Sequence, residues 1–493
     1  MQIFLQGKLL GVENFLLAPA GGERDHAFTG RSHWVSLLGE ILPRALLAEL
    51  GLAKILLGSS GGGQFLILLP QEVRASADAF LEAAAREIAA LSDGVVKLIW
   101  SVTENLGDWS DVRKRLHDQM SLLRGTPAAG LTLEDFALSA RDSASDAELY
   151  FASQLGWKLR DAESVGWSPE TPGRIIVSDS KVGVGEGKHV WSLTGSQESL
   201  PFARHAAPND AGTEPASTTT LASRAAGLGT WGVLRGDVDN FSIRIRRAES
   251  IEQHIQLSVM YKQFFAGELE VLCSMPEFWR KVTVIYSGGD DFAVYGAWDA
   301  LIGLAREMER LFRRFTEANL TDFAGPEGKT ITMALALAPA EDASLGSVFE
   351  EAGRRLEAAK SADKDCIWLL GRTLEWKQFS DAADLKDLLL RMVTDFGVSA
   401  QYLKDLCGIY RETQSKMSKR QARKMGGERP WRYHRRIRRI LSAARPFSGP
   451  ARGDYQKARS ALIADLIGRS AVTVKLRPAG RVALEWARLS AEA

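Results

Sequence analysis

Three cysteines in 493 residues, Cys273, Cys366 and Cys407, are too few and too far apart for a disulfide framework, and none belongs to a Cys-x-x-Cys half-site for zinc. No run of about 18 apolar residues occurs, so a membrane span is not expected. Met1–Gly11 has a single Lys and no long apolar core, so no signal peptide is expected either, and a reducing cytoplasm fits best. Charge of one sign is also missing. Lys and Arg total 62 against 61 Asp and Glu, and the net +1 gives no whole-chain reason for nucleic-acid binding. With 45% hydrophobic and 25% charged residues the chain is neither disordered nor fibrous, and its length suggests roughly three or four domains.

What is present is an internal duplication. Gly11-Val12-Glu13-Asn14-Phe15 is similar to Asp237-Val238-Asp239-Asn240-Phe241, and Ser60-Gly61-Gly62-Gly63-Gln64-Phe65 to Ser287-Gly288-Gly289-Asp290-Asp291-Phe292. Gly11 precedes Gly63 by 52 residues and Asp237 precedes Asp290 by 53, so the spacing agrees as well as the residues.

Periodicity predicts one order of elements in both copies. In the second copy these are a strand over 231–237, a helix over 250–272, a hairpin of 282–286 and 292–295, a helix over 299–315, a strand over 329–338 and a helix over 347–360. In the first they are 3–9, 34–50, 54–69, 75–91 and 95–102. This βαββαβ order predicts an α+β fold with two ferredoxin-like domains, at 1–125 and 226–378. Residues 126–225, with Pro, Ser, Thr and Gly runs such as Ala206–Thr220, read as a connector with a flexible linker, and 379–493 as a helical domain.

The Gly288-Gly289 turn is expected to permit positive φ and to project Asp290 and Asp291, with Asp237 and Asp239 ending the neighbouring strand. Two unit charges about 4 Å apart repel by roughly 4 kcal/mol at an effective dielectric of 20, so clustered bare acids oppose folding. Divalent ions reverse that sign. A pair of them can activate a 3′-hydroxyl and steady a leaving pyrophosphate, which is nucleotidyl transfer. In the first copy Gly11 is aligned with Asp237, and Gly63 and Gln64 with Asp290 and Asp291, so one copy keeps the acids and the other has shed them.

The string Tyr286–Phe292, the Asp-Val-Asp-Asn at 237–240, Leu356–Asp365 and Thr29-Gly30-Arg31-Ser32 resemble the large subunit of type III CRISPR effector complexes, most of all its Csm branch. The resemblance implies two palm domains and ATP-dependent synthesis of cyclic oligoadenylate messengers, triggered when the complex pairs its guide RNA with target RNA. It implies Mg²⁺ or Mn²⁺ on Asp237, Asp290, Asp291 and the Val238 carbonyl. ATP would be bound by Ser287, Gly288, Gly289, Asn240 and Lys360, and a second ATP by Ser60, Gly61, Gly62 and Gly63 of the degenerate palm. Other effector subunits are implied partners, and a membrane is not. Members often begin with an HD nuclease domain, but here the first palm starts at residue 3, and His26 and His117 belong to no spaced set of metal ligands. Nuclease activity and the family's zinc cluster are therefore not expected.

One segment breaks the charge balance. Lys416–Arg439 carries eleven Lys or Arg and one acid, Glu428, so its charge is +10 and the rest of the chain is −9. Trp431, Tyr433 and His434 interleave with Arg432, Arg435, Arg436 and Arg439, a mixture suited to phosphates and stacked bases. Two other readings keep parts of this pattern: a stand-alone nucleotide cyclase of the diguanylate type, and a catalytically silent RNA-binding scaffold.

Overall fold

The computed structural model describes residues 1–18, 24–124, 142–178, 188–195, 199–340, 342–415, 430–443, 452–467 and 478–492. Strands β1 (Gln2–Leu10), β2 (Leu57–Gly61), β3 (Gln64–Pro70) and β4 (Lys97–Glu104) form an antiparallel sheet in the order β2-β3-β1-β4. Alternation along β1 sets its two faces. Ile3, Leu5 and Leu9 pack with the helices Arg24–Glu49 and Arg74–Leu91, while Phe4 packs with Leu66 and with Trp109, Val112 and Leu116 of the helix Trp109–Leu123.

The first long helix begins at Arg24, ten residues before the expected Trp34. Its polar first turns are buried by other chain segments. Arg31 donates to the carbonyl oxygens of Ala18 at 2.8 Å and Phe15 at 3.3 Å, and a Cβ on Gly30 would lie 1.8 Å from the carbonyl oxygen of Phe151.

Residues expected to be a loose connector are structured where they are described. β5 (Ser164–Trp167), β6 (Ile176–Ser178) and β7 (His189–Ser192) form a small sheet, and Phe151, Leu155 and Trp167 join the core of the first sheet. The run Ala206–Thr220, expected to be flexible, is instead held on the second sheet. Val284 N–H donates to His205 O at 2.8 Å, Ala207 N–H to Thr283 Oγ1 at 3.1 Å, and Ala216 and Leu221 are buried.

The second sheet contains β8 (Trp231–Val238), β9 (Val282–Ser287), β10 (Asp291–Ala297), β11 (Ile331–Leu337), β12 (Cys366–Leu369) and β13 (Arg372–Glu375), ordered β13-β12-β11-β8-β10-β9. The strands β9-β10-β8-β11 repeat the β2-β3-β1-β4 order of the first sheet. β12, parallel to β11, and β13 extend it beyond the expected four strands. The expected helix over 250–272 is broken by a π-turn at Phe264–Glu268. Leu234, Val238, Phe292, Val294, Met333 and Leu335 share one core with the helix Trp298–Asn319 and the C-terminal helices. On the other face Val233, Ala293 and Tyr295 pack with the helix Leu345–Ala362 and with Leu16 and Phe28 of the first unit, so the two units share a core. Among the described residues no helix is long and apolar enough to cross a membrane.

Candidate active site between the two sheets

β8 and β10 pair so that Asp237 and Asp291 are directly opposite, and Val238 N–H donates to Asp290 O at 2.9 Å. The three acids therefore arise from one local geometry, the end of a strand and the turn that begins its neighbour. Burial raises the pKa of all three; repulsion from the other two adds to it at Asp290 and from Asp237 at Asp291, which is pushed up to about 6, while at Asp237 the added repulsion comes from Asp239 and Glu357. Arg235 offsets this charge through space, and two side chains meet it directly. Lys360 Nζ lies 2.5 Å from Asp237 Oδ1, and Tyr286 donates its hydroxyl proton to Asp291 Oδ2 at 3.0 Å.

Hard carboxylate oxygens on adjoining positions are the donor type that Mg²⁺ and Mn²⁺ take. With Lys360 and Tyr286 engaged, no group of three or more His, Cys, Asp or Glu among the described residues stands close enough to hold an ion. The donor chemistry suits a divalent ion, for which Lys360 would have to leave Asp237.

Asp239 has a different use. It is 2% exposed and accepts from Thr330 Oγ1 at 2.7 Å, Thr332 Oγ1 at 2.7 Å and the Asp365 N–H at 2.9 Å. It pins the end of β8 rather than joining the acidic edge. Asn240 follows in the left-handed region at φ 59° and accepts from Lys364. Nor does the glycine pair use positive φ. Gly288 is needed because a Cβ there would lie 2.0 Å from Asp291 Oδ1, and it donates its N–H to Asp291 O at 2.7 Å. Positive φ occurs in the other copy, at Gly61 (136°), Gly62 (57°) and Gly63 (68°).

The two turns face each other: a Cβ on Gly62 would be 4.0 Å from the Gly289 nitrogen. Ser60, Gly61 and Gly62 line one side of a cavity of about 780 Å³, and Asp237, Gly289, Asp290 and Asp291 line another. Lys8, Arg113, Lys114, Arg124 and Arg246 supply cations to its wall. His254 is there too, as a neutral imidazole whose pKa burial and Arg113 pull down to about 4.

Beneath the first turn lies a group with no signature in the sequence. Glu40, 3% exposed, receives Lys262 Nζ of the second unit at 2.6 Å, Arg44 at 2.8 Å and the Ser60 hydroxyl at 3.0 Å; Lys262 also donates to Ser60 Oγ at 3.0 Å. Burial alone would raise the Glu40 pKa, but Lys262 and Arg44 outweigh it and leave the pKa below its usual value. Glu40 and Lys262 are 222 residues apart, so nothing local could reveal the pair.

The strand register also corrects the alignment of the two copies. Asp237 pairs with Asp291 and Gly236 with Phe292, while Lys8 pairs with Gln64 and Gly7 with Phe65. Leu9 N–H donates to Gly63 O at 2.7 Å as Val238 N–H does to Asp290 O. The counterpart of Asp237 is therefore Lys8. Gly11 corresponds to Asn240; both have positive φ and both cap a short helix.

Of the basic segment, Lys416–Arg429 and the Arg432 side chain lie outside the described residues. Arg435 and Arg439 are exposed on the helix Pro430–Ala443, Arg436 is half-buried, and Ile437 and Leu441 face the core.

Residues 230–368 match the family described as Cas10/Cmr2, second palm domain. Over 448 residues the chain is 22% identical to the single-strand-specific deoxyribonuclease Cas10/Csm1 of subtype III-A from Thermococcus onnurineus, covering 75% of this chain and 55% of that protein. The chain thus contains a region similar to the Cas10 second palm domain and is similar over three quarters of its length to a Cas10/Csm1 protein. The protein of the same description from Enterococcus italicus is 27% identical over 176 residues, 34% of this chain and 22% of that one. The chain spans from about a fifth to just over half of these two relatives. A crystal structure of a Csm1–Csm4 cassette in complex with cA4 has a TM-score of 0.69 at 15% identity, covering 99% of this chain and 70% of that one. At that identity the match bears on the fold: both ferredoxin-like sheets belong to a known Csm1 architecture.

Proposed function

We propose that this chain is a Cas10-type large subunit of a type III CRISPR effector complex and makes cyclic oligoadenylates from ATP in the cytoplasm, when guide RNA pairs with target RNA. The direct opposition of Asp237 and Asp291 beside Asp290, on the wall of a cavity shared by both glycine turns, supports this reading most. Csm1–Csm4 cassettes of the same fold have been captured with ATP, AMPPNP, pppApA and cA4, which supports ATP as the substrate class and a Csm4-type subunit as a partner.

In this reading Asp237, Asp290, Asp291 and the Val238 carbonyl hold Mg²⁺ or Mn²⁺, which when bound supplies Lewis acidity for 3′-hydroxyl attack on an α-phosphate. Lys360, released from Asp237, takes the triphosphate, while Ser287, Gly288, Gly289 and Asn240 line the nucleotide. Gly61, Gly62 and Gly63 seat a second ATP. The Ser60 hydroxyl, bonded to Glu40 and Lys262, shapes that seat from below. No side chain has to act as a nucleophile, as suits phosphoryl transfer governed by positioning and charge. Arg432, Arg435, Arg436 and Arg439 contact RNA. The reading assigns no residues to the nuclease activity for which the relatives are named.

Mass spectrometry of products from ATP, with and without guide and target RNA, tests it. RNA-dependent oligoadenylates that vanish in Asp290→Ala/Asp291→Ala are expected. RNA-independent products from GTP would point to a stand-alone cyclase, and no nucleotide consumption under any condition would point to a scaffold.

A further inference from the structure

Lys8 occupies the first-sheet position that Asp237 occupies in the second, and its surroundings repeat. Gly7 lies under Phe65 as Gly236 lies under Phe292: a Cβ would come within 2.1 Å of the first ring and 2.3 Å of the second. Gln64 stands opposite Lys8 where Asp291 stands opposite Asp237. At one matched position the duplication has exchanged a carboxylate for an ammonium. Both line the same cavity.

Lys8 is half-buried, and no acid partners it among the described residues. Burial lowers its pKa, and so does the like charge of Arg124, another cavity-lining cation. A half-buried ammonium whose charged neighbour on the cavity wall is another cation is stabilised by an anion bound beside it. The cavity's acids stand on the other sheet, and Lys360 already answers Asp237.

We propose that Lys8 is a built-in cation that binds the polyphosphate of the nucleotide seated on the first palm. This rests on the two-nucleotide reading of the cleft. A Lys ammonium neutralises phosphate oxygens as a point charge but does not bridge attacking and leaving oxygens as paired metal ions do. A triphosphate on Lys8 is held, whereas one beside Asp237, Asp290 and Asp291 is cleaved. The same residue would hold ATP or the 5′-triphosphate end of a linear intermediate, since both present the same polyphosphate.

The test uses the assembled complex carrying Asp290→Ala/Asp291→Ala, so that binding is read without turnover, with AMPPNP followed by calorimetry. With the metal-holding acids removed, AMPPNP binding at the first palm should remain, and adding Lys8→Gln should weaken it by about tenfold or more, the loss of a charge-assisted hydrogen bond. Lys8→Arg should restore most of it, and pppApA should show the same dependence on Lys8. With active acids, Lys8→Gln should raise the KM for ATP and leave the Mg²⁺ midpoint unchanged. Circular dichroism and the Lys8→Arg rescue separate this from misfolding. No AMPPNP binding in the parent, unchanged binding in Lys8→Gln, or a loss of RNA affinity in its place would each overturn the proposal. Failure of the functional reading looks different, because a native complex that makes no oligoadenylate leaves the calorimetric result to stand or fall by itself.

Discussion

Lys262 Nζ on the second palm lies 2.6 Å from Glu40 Oε2 on the first, and both meet the Ser60 hydroxyl under Gly61. This buried pair crosses the interface whose two sides form the cleft. Removing one member leaves the other charge poorly compensated, a loss of about 3 kcal/mol for a well-buried pair. Lys262→Met should lower the unfolding free energy by roughly that amount and reduce oligoadenylate formation more than Lys262→Arg does. The double variant with Glu40→Gln should cost less than the two single changes added together, as a denaturant double-mutant cycle would read. Strict additivity would show that the two residues act separately.

The acidic edge makes stability depend on pH. Folding raises the carboxyl pKa of Asp237, Asp290 and Asp291, with Asp291 moving from 3.8 to about 6. The folded state thus holds these protons more tightly than the unfolded chain. Without divalent ions, stability is highest while the acids are protonated and falls as pH rises through about 6, by up to about 3 kcal/mol for Asp291. Thermal melts of the metal-free protein from pH 4.5 to 7.5 should show this fall, with Mg²⁺ or Mn²⁺ restoring more at the upper end. Asp291→Asn should flatten the curve. A metal-free profile that rises over this range would contradict the assignment.

The glycine-under-phenylalanine contact should fail alike in both palms. Gly7→Ala and Gly236→Ala each drive a methyl into a ring, at Phe65 and Phe292, and overpacking of this kind costs about 1–3 kcal/mol. Urea unfolding should show both losses. Activity should fall further for Gly236→Ala, because Phe292 adjoins Asp291 in the chain.

The basic helix should act through charge number. Changing Arg432, Arg435, Arg436 and Arg439 to Ala should weaken RNA binding and reduce the slope of log affinity against log salt by roughly 0.7 per lost phosphate contact on single strands. RNA-dependent activation should fall with it. An unchanged slope would assign the segment to a protein contact.

The duplication, the hairpins and the acids were legible because apolar alternation and Ser-Gly-Gly turns are local signals. The alignment was not, because residue likeness places Gly11 on Asp237, whereas the hydrogen-bond register places Lys8 there and Gly11 on Asn240. β12 and β13 escaped notice because each has four residues and their turn holds Leu370 at φ 47° beside Gly371 at 83°, and Leu is no marker for a left-handed position. Asp239 looked like a fourth acid of the edge, and only its partners Thr330 and Thr332, about 90 residues on, set its role.

The shared glycine-and-ring contact has a consequence for polarity. Two halves that keep one shape but carry opposite charge at the matched position form a chamber with a built-in head and tail. Two identical molecules entering it would cease to be equivalent, and a chain growing there would have its direction chosen by the walls.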